Sequence, residues 1–92
     1  MDPQTRIERL DALVEAEVGG EIVGLDIERG TCFGFNATAT RLWQLIEVPC
    51  TFGELCDRLM DEHEVDRATC AADTAAVLGQ LADDRLIVLT AP

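Results

Sequence analysis

The sequence GTCFGFNATATRLW, residues 30–43, predicts a short strand that runs directly into a helix. Successive strand side chains point to opposite faces, with Thr31, Phe33 and Phe35 on one face and Cys32 and Gly34 on the other. Asn36 ends the strand, because its side chain can accept a hydrogen bond from an N–H group in the first turn of the helix. If this strand lies at the edge of a sheet, its outer N–H and C=O groups are free to pair with another chain.

Two further strands precede this stretch and predict an antiparallel meander. Residues 13–18 alternate apolar and acidic side chains, which is typical of a half-buried strand. The pair Gly19-Gly20 favours a tight hairpin turn, and residues 21–27 form the return strand. A second short turn at residues 28–30 leads into the third strand. Because the three strands follow one another directly, the third strand is expected at an edge of the sheet.

Three helices are predicted after the meander. The first covers residues 37–47 and is stopped by Pro49. The sequence TFGE, residues 51–54, is a capping box that opens the second helix, which ends near His63. Asp66 or Thr69 caps the third helix, which reaches about Asp84, and residues 86–90 form a strand or an extended cover. The predicted class is α+β: a winged helix-turn-helix-like domain with a three-stranded antiparallel N-terminal meander followed by three helices.

Length and charge limit what the protein can do. The chain has 92 residues, enough for one small domain. Residues 1–10 are polar and predict a flexible arm, and residues 11–92 predict the folded domain. All seven basic residues are arginine against 18 acidic residues, which gives a net charge of −11. This charge disfavours nucleic acid as a partner, since phosphates would be repelled. It suits a basic partner, or it serves solubility alone.

The first residues are too polar for a signal peptide, and no run approaches the roughly 20 apolar residues of a membrane helix. A cytoplasmic protein without a membrane partner is therefore expected. Disulfides are unfavourable in that compartment, so small buried thiols are predicted at Cys32, Cys50, Cys56 and Cys70.

Neither a metal site nor a catalytic site is predicted. The cysteines form no CxxC pair, and Cys56 and His63 would lie about 10 Å apart along a helix, too far to share one metal ion. The chain also lacks a nucleotide-binding loop and a nucleophile–base constellation. We expect no enzyme activity and no cofactor.

The third helix carries two neighbouring rows of side chains. The first is a wide apolar face suited to the core, formed by Ala71, Thr74, Ala75, Leu78, Leu81 and Ala82. The second row mixes apolar and polar groups, Cys70, Asp73, Val77, Gln80 and Asp84. It is either the margin of the core with ordinary solvated acids or one wall of a binding groove. A groove beside an edge strand would suit an extended peptide that adds to the sheet.

The order and spacing of these motifs resemble the PqqD-like family, also called RiPP recognition elements, over residues 11–90. The features that carry the resemblance are Leu25-Asp26 and Gly30 before an aromatic strand, Phe35-Asn36 at the start of a helix, the turn at residues 49–51, and a helix-three core of Asp73, Val77, Leu78 and Leu81 ahead of Leu86-Ile87. The segment around Trp43 is more similar to the discrete B1 proteins of lasso-peptide pathways than to PqqD of quinone-cofactor biosynthesis.

The resemblance implies a non-catalytic peptide chaperone. Such a protein binds the leader of a ribosomally synthesised precursor peptide by β-augmentation of the third strand against the third helix, and presents it to a modifying enzyme such as a leader peptidase or a radical enzyme. The peptide-binding residues implied are Thr31, Cys32, Phe33, Gly34, Phe35, Asp73, Ala76, Val77, Gln80, Leu81 and Asp84. The alternative is a winged-helix protein–protein adaptor or regulator without a leader-peptide ligand.

Three residues depart from the pattern of the family. Phe35 stands where members often have Leu, and Ala39 stands where lasso-pathway relatives often have Gly. Arg85 stands where members often have Gly, just before the final Leu-Ile. Phe35 and Ala39 are interpreted as packing substitutions, whereas Arg85 is expected to alter one end of the groove.

Overall fold

The computed structural model describes residues 1–92 and contains six strands and three helices. In chain order these are β1 (Arg6–Arg9), β2 (Val14–Val18), β3 (Glu21–Asp26), β4 (Thr31–Gly34), α1 (Ala37–Leu45), β5 (Cys50–Thr51), α2 (Phe52–Glu62), α3 (Arg67–Asp83) and β6 (Ile87–Thr90). The predicted α+β class is confirmed. None of the helices is long and apolar enough to cross a membrane.

Strands β2, β3 and β4 form the predicted antiparallel meander. Their order in the sheet is β2-β3-β4, so β4 has a neighbour on one side only. The glycines of both turns have positive φ: +60° at Gly19, +82° at Gly20 and +65° at Gly30. Since an L side chain rarely adopts these angles, the glycines allow the tight reversals that bring consecutive strands together.

The prediction of a flexible arm at residues 1–10 is wrong for residues 6–9, which form β1. This strand belongs to a second sheet, whose strand order is β5-β1-β6. Strand β1 is the central strand of that sheet, and Ile7 is fully buried, with 0% of its surface exposed. The sequence gives little signal for this strand because four residues with one buried apolar side chain do not establish an alternation. Its partners also lie more than 40 positions away, at Cys50 and Leu89.

Strand β2 lies where it was predicted, but its half-buried character is wrong. All five of its residues are exposed. Val14 pairs with Leu25 and Ala16 pairs with Val23, and these apolar side chains line the outer, solvent-facing side of the meander. Alternation separates the two faces of a strand, but it does not say which face the rest of the chain will cover.

The helix caps follow the sequence closely. The side-chain oxygen of Asn36 accepts the N–H of Ala39 at 2.8 Å and caps α1. Thr51 and Glu54 form both bonds of the capping box of α2, and Asp66 caps α3. These hydrogen bonds favour the charged carboxylates, and so they lower the pKa of Glu54 and of Asp66.

The core lies between the helices and the inner faces of both sheets. Its largest fully buried side chain is Trp43, whose ring meets Phe35 edge-on at 5.4 Å between centroids. The Arg9 guanidinium covers Trp43 at 4.2 Å from the ring centroid and donates to its main-chain carbonyl, so β1 and α1 are tied together. The prediction of buried thiols is confirmed at Cys50, Cys56 and Cys70 and wrong at Cys32, which is exposed.

Candidate functional site

The outer edge of β4 presents backbone groups that no other strand of the protein pairs. The N–H of Phe35 donates to the carbonyl of Ile22 at 2.9 Å, and Phe33 lies opposite Gly24 in the same register. Because inward and outward backbone groups alternate along an antiparallel strand, the N–H and C=O groups of Cys32 and Gly34 point away from β3. These four groups form the open edge.

Helix α3 lies opposite this edge and closes a cleft of about 360 Å³. The strand side and the start of α1 contribute Phe33, Gly34, Phe35, Asn36 and Ala39, and the helix contributes Ala76, Val77, Gln80, Leu81 and Asp84. Six of these ten residues are hydrophobic, so most of the surface suits apolar side chains.

One end of the cleft is polar. The side-chain amide of Gln80 donates to the Asp84 carboxylate at 3.2 Å, and both residues line the cleft. Asp84 keeps acceptor capacity after accepting this one bond, because a carboxylate has about four lone-pair sites. A ligand with a basic or hydrogen-bond-donating group is therefore favoured at this end.

Arg29 joins the two walls of the cleft at the same end. Its Nε lies 2.6 Å from Oδ2 of buried Asp26, and its Nη2 lies 2.5 Å from the main-chain oxygen of Asp84 at the end of α3. The guanidinium also lies 5.9 Å from the ring centroid of Phe33. Hydrogen bonds from the Arg29 main-chain N–H and then from its side chain hold the pKa of Asp26 below its usual value.

The structure brings together eight of the eleven residues predicted to bind peptide: Phe33, Gly34, Phe35, Ala76, Val77, Gln80, Leu81 and Asp84. Thr31 and Cys32 lie on the same strand but do not line the cleft. Asp73 is one wall of a separate pocket of about 430 Å³, which lies between the start of α1, the end of α2 and the start of α3.

The mixed row on α3 is therefore divided between two surroundings. Val77, Gln80 and Asp84 line the cleft, whereas buried Cys70 and exposed Asp73 both line the second pocket. That pocket is bordered by an ion pair between Arg41 and Glu62 at 2.6 Å. The hydrogen bonds of this pair raise the pKa of the arginine and lower that of the carboxylate.

Sequence reasoning missed three contributors to the site. Asn36 and Ala39 line the cleft, although the sequence indicates only a helix cap at Asn36 and a packing substitution at Ala39. Arg29 was assigned only to a turn. Its spacing of three residues from Asp26 favours a local ion pair, but its contact with Asp84, 55 positions away, depends on the fold.

The thiols and acids form no metal-binding group of three or more His, Cys, Asp or Glu side chains. Burial raises the pKa of the Cys56 thiol to about 11 and also raises that of Cys50. Both groups are therefore neutral thiols near pH 7, and neither borders the cleft.

The fold and site together define an α+β domain with an open strand edge beside a helix. The family model described as coenzyme PQQ synthesis protein D (PqqD) matches residues 21–87. The chain belongs to the PqqD family, and the resemblance to RiPP recognition elements is confirmed.

Two solved structures share the fold. A chain described as TbiB1 in complex with the TbiA(beta) leader peptide is 34% identical, with a TM-score of 0.78 over 87% of this chain and 93% of that chain. A lasso peptide synthetase B1 complexed with the leader peptide is 21% identical, with a TM-score of 0.76 over 89% of this chain and 96% of that chain, and it supports the fold alone. No curated protein matches this sequence.

Proposed function

We propose that this protein is a non-catalytic peptide chaperone that binds the leader of a ribosomally synthesised precursor peptide and presents it to a modifying enzyme. The observation that carries the proposal is the open edge of β4 beside the cleft. The backbone groups of Cys32 and Gly34 can hydrogen-bond an added strand, which would extend the meander from three strands to four.

The cleft would supply the specificity that backbone bonds lack. In an added strand every second side chain points toward the same face, so alternate residues of the peptide would face α3. Apolar side chains would pack against Val77 and Leu81, and a basic group would meet Asp84. Thr31 and Cys32 would act through the strand, and Asp73 would contact a peptide that continues beyond the cleft into the second pocket.

The structural comparison supports a leader peptide as the ligand. The 34% identical TbiB1 was solved with a leader peptide, and its alignment covers most of both chains. A modifying enzyme, either a leader peptidase or a radical enzyme, is the second proposed partner. It would act on the part of the precursor that the strand edge leaves free.

The test removes one backbone donor from the open edge. Peptides would be selected on the wild-type protein from a display library of random sequences and titrated calorimetrically, beside the TbiA(beta) leader peptide. Cys32→Pro removes the N–H that points away from β3. An edge strand tolerates proline at such a position, because none of its hydrogen bonds to the neighbouring strand is lost. Affinity should fall about fivefold, the equivalent of one hydrogen bond.

Cys32→Val is the matched control, since it changes the same side chain and keeps the N–H. It should retain wild-type affinity, and thermal unfolding of both variants would show that the fold persists. Recovery of no binding peptide, or equal affinity of the proline variant, would overturn the proposal in favour of an adaptor without a peptide ligand.

A further inference from the structure

Arg85 occupies a backbone position that suits glycine. Its φ is +59°, and it is the only non-glycine residue of the chain with a positive φ. It directly follows the C-cap Asp84 of α3. The N–H of Arg85 donates to the carbonyl of Ala82 at 3.0 Å, and the N–H of Leu86 donates to that of Leu81 at 2.9 Å. These two bonds form a Schellman motif, in which glycine is usual at the position that Arg85 holds.

Arg85 is also the one arginine whose side chain has no partner. Each of the other six donates a side-chain hydrogen bond to a carboxylate or carbonyl oxygen: Arg6, Arg9, Arg29, Arg41, Arg58 and Arg67. The Arg85 side chain is exposed and has no carboxylate within 4.0 Å. In a chain of net charge −11, this is the cation left free to meet an external anion.

Arg85 borders the largest cavity of the protein, of about 650 Å³. The cavity lies between residues 10–14, residues 26–29 and Arg85. It adjoins the cleft, because Asp84 of the cleft precedes Arg85, and Arg29 of the cavity contacts both Asp84 and Phe33 of the cleft. A peptide that follows β4 past its first residue would therefore leave the cleft beside Arg85.

None of the acidic residues that line this cavity forms an ion pair with Arg85. Asp26 is bonded to Arg29, and the exposed side chains of Asp11 and Glu28 form no ion pair with Arg85. Non-glycine residues with this backbone conformation cluster at functional sites, and glycine would adopt it at no steric cost.

We propose that Arg85 and the adjoining cavity form a subsite for an acidic side chain of the bound peptide, one position or more beyond the cleft. The proposal rests on the proposed function and names a feature of its substrate. An arginine can hold a carboxylate through two parallel N–H···O bonds, which would fix the register of a peptide whose backbone bonds are indifferent to sequence.

The experiment compares peptide selection on three proteins. A display library of random peptides would be selected on the wild type, on Arg85→Gly and on Arg85→Lys. The wild type should enrich Asp or Glu at a fixed distance from the apolar positions, Arg85→Lys should keep part of that preference, and Arg85→Gly should lose it. The affinity of the selected acidic peptide should fall about tenfold for Arg85→Gly, equal to one charge-assisted contact.

The stability of the variant separates binding from a structural role. Arg85→Gly should raise the melting temperature, because glycine adopts the positive φ without strain, while it lowers affinity for the acidic peptide. A peptide whose acid is replaced by its amide should bind the wild type and Arg85→Gly equally. Selected peptides without an acidic preference would overturn this subsite alone, whereas failure to select any peptide would overturn the proposed function as well.

Discussion

The guanidinium of Arg29 donates a hydrogen bond of 2.5 Å to the main-chain carbonyl of Asp84. Asp84 lines the cleft at the end of α3, and Arg29 lies outside the cleft, in the turn before β4 on the opposite side. Arg29 is held in place by Asp26, which is buried beneath it. The distance between strand and helix at this end of the cleft is therefore set by a contact that a peptide need not touch.

Replacing Arg29 with alanine should lower peptide affinity without removing a peptide contact. The end of α3 would lose its hydrogen bond to the turn before β4, and Asp26 would lose its ion pair with Arg29. We expect about a fivefold loss of affinity, comparable to one hydrogen bond, measured by calorimetric titration of a peptide selected on the wild type. Arg6→Ala is the control, because it removes an exposed arginine that pairs with Glu8 and does not line the cleft. Equal affinity of Arg29→Ala and wild type would show that the link does not shape the cleft.

The same pair predicts a dependence of stability on acidic pH. The pKa of Asp26 lies below its ordinary value of 3.8 because it accepts hydrogen bonds from Arg29. Because the pKa of Asp26 is lower in the folded protein, its ionised carboxylate adds to the free energy of unfolding above the unfolded-state pKa. This contribution disappears as the pH falls through the folded-state pKa. Thermal unfolding of wild type and Asp26→Asn should differ most near neutral pH and converge as the pH drops below about 4. A constant difference between the two proteins would contradict this assignment.

The sequence predicts the parts of this fold that depend on neighbouring residues. The glycine turns, the caps at Asn36, Thr51 and Asp66, and the edge position of β4 all follow from short local patterns. Pairings between distant segments do not follow from such local patterns. Strand β1 joins β5 and β6, and Arg29 reaches Asp84, through contacts that no pattern within a few residues encodes. The alternation in β2 likewise predicts a half-buried strand, although all five of its residues are exposed.

A charge placed on the helical wall of the cleft should block the peptide. Val77 lines the cleft and is half-buried, so Val77→Glu would leave a carboxylate in a mainly apolar surface that a bound peptide desolvates. We expect a loss of affinity of about tenfold or more. Ala72→Glu adds the same charge to an exposed position of α3 that borders no cavity, and it should bind normally. Equal losses in both variants would indicate a general effect of charge rather than a contact in the cleft.

The four thiols should separate into one reactive group and three protected groups. Cys32 is exposed on the outer face of β4, whereas Cys50, Cys56 and Cys70 are buried. Burial raises the pKa of Cys56 to about 11, so its reactive thiolate is scarce near pH 8. Titration of the native protein with a disulfide reagent at that pH should show one fast thiol, and denaturant should release the other three. Cys32→Ser should remove the fast phase, and a second fast thiol in that variant would contradict the burial of the core cysteines.

Strand β1 should be essential to stability rather than a dispensable arm. Ile7 is fully buried between β5 and β6, and Arg9 stacks on Trp43, the largest buried side chain. Ile7→Ala should lower the free energy of unfolding by about 2–4 kcal/mol, the usual cost of a core cavity of this size. The control is Val18→Ala, at a side chain that is 65% exposed. This substitution should change the free energy of unfolding by less than about 0.5 kcal/mol. Denaturant titration measures both values. A small effect of Ile7→Ala would mean that β1 detaches readily and that the core is closed by the helices alone.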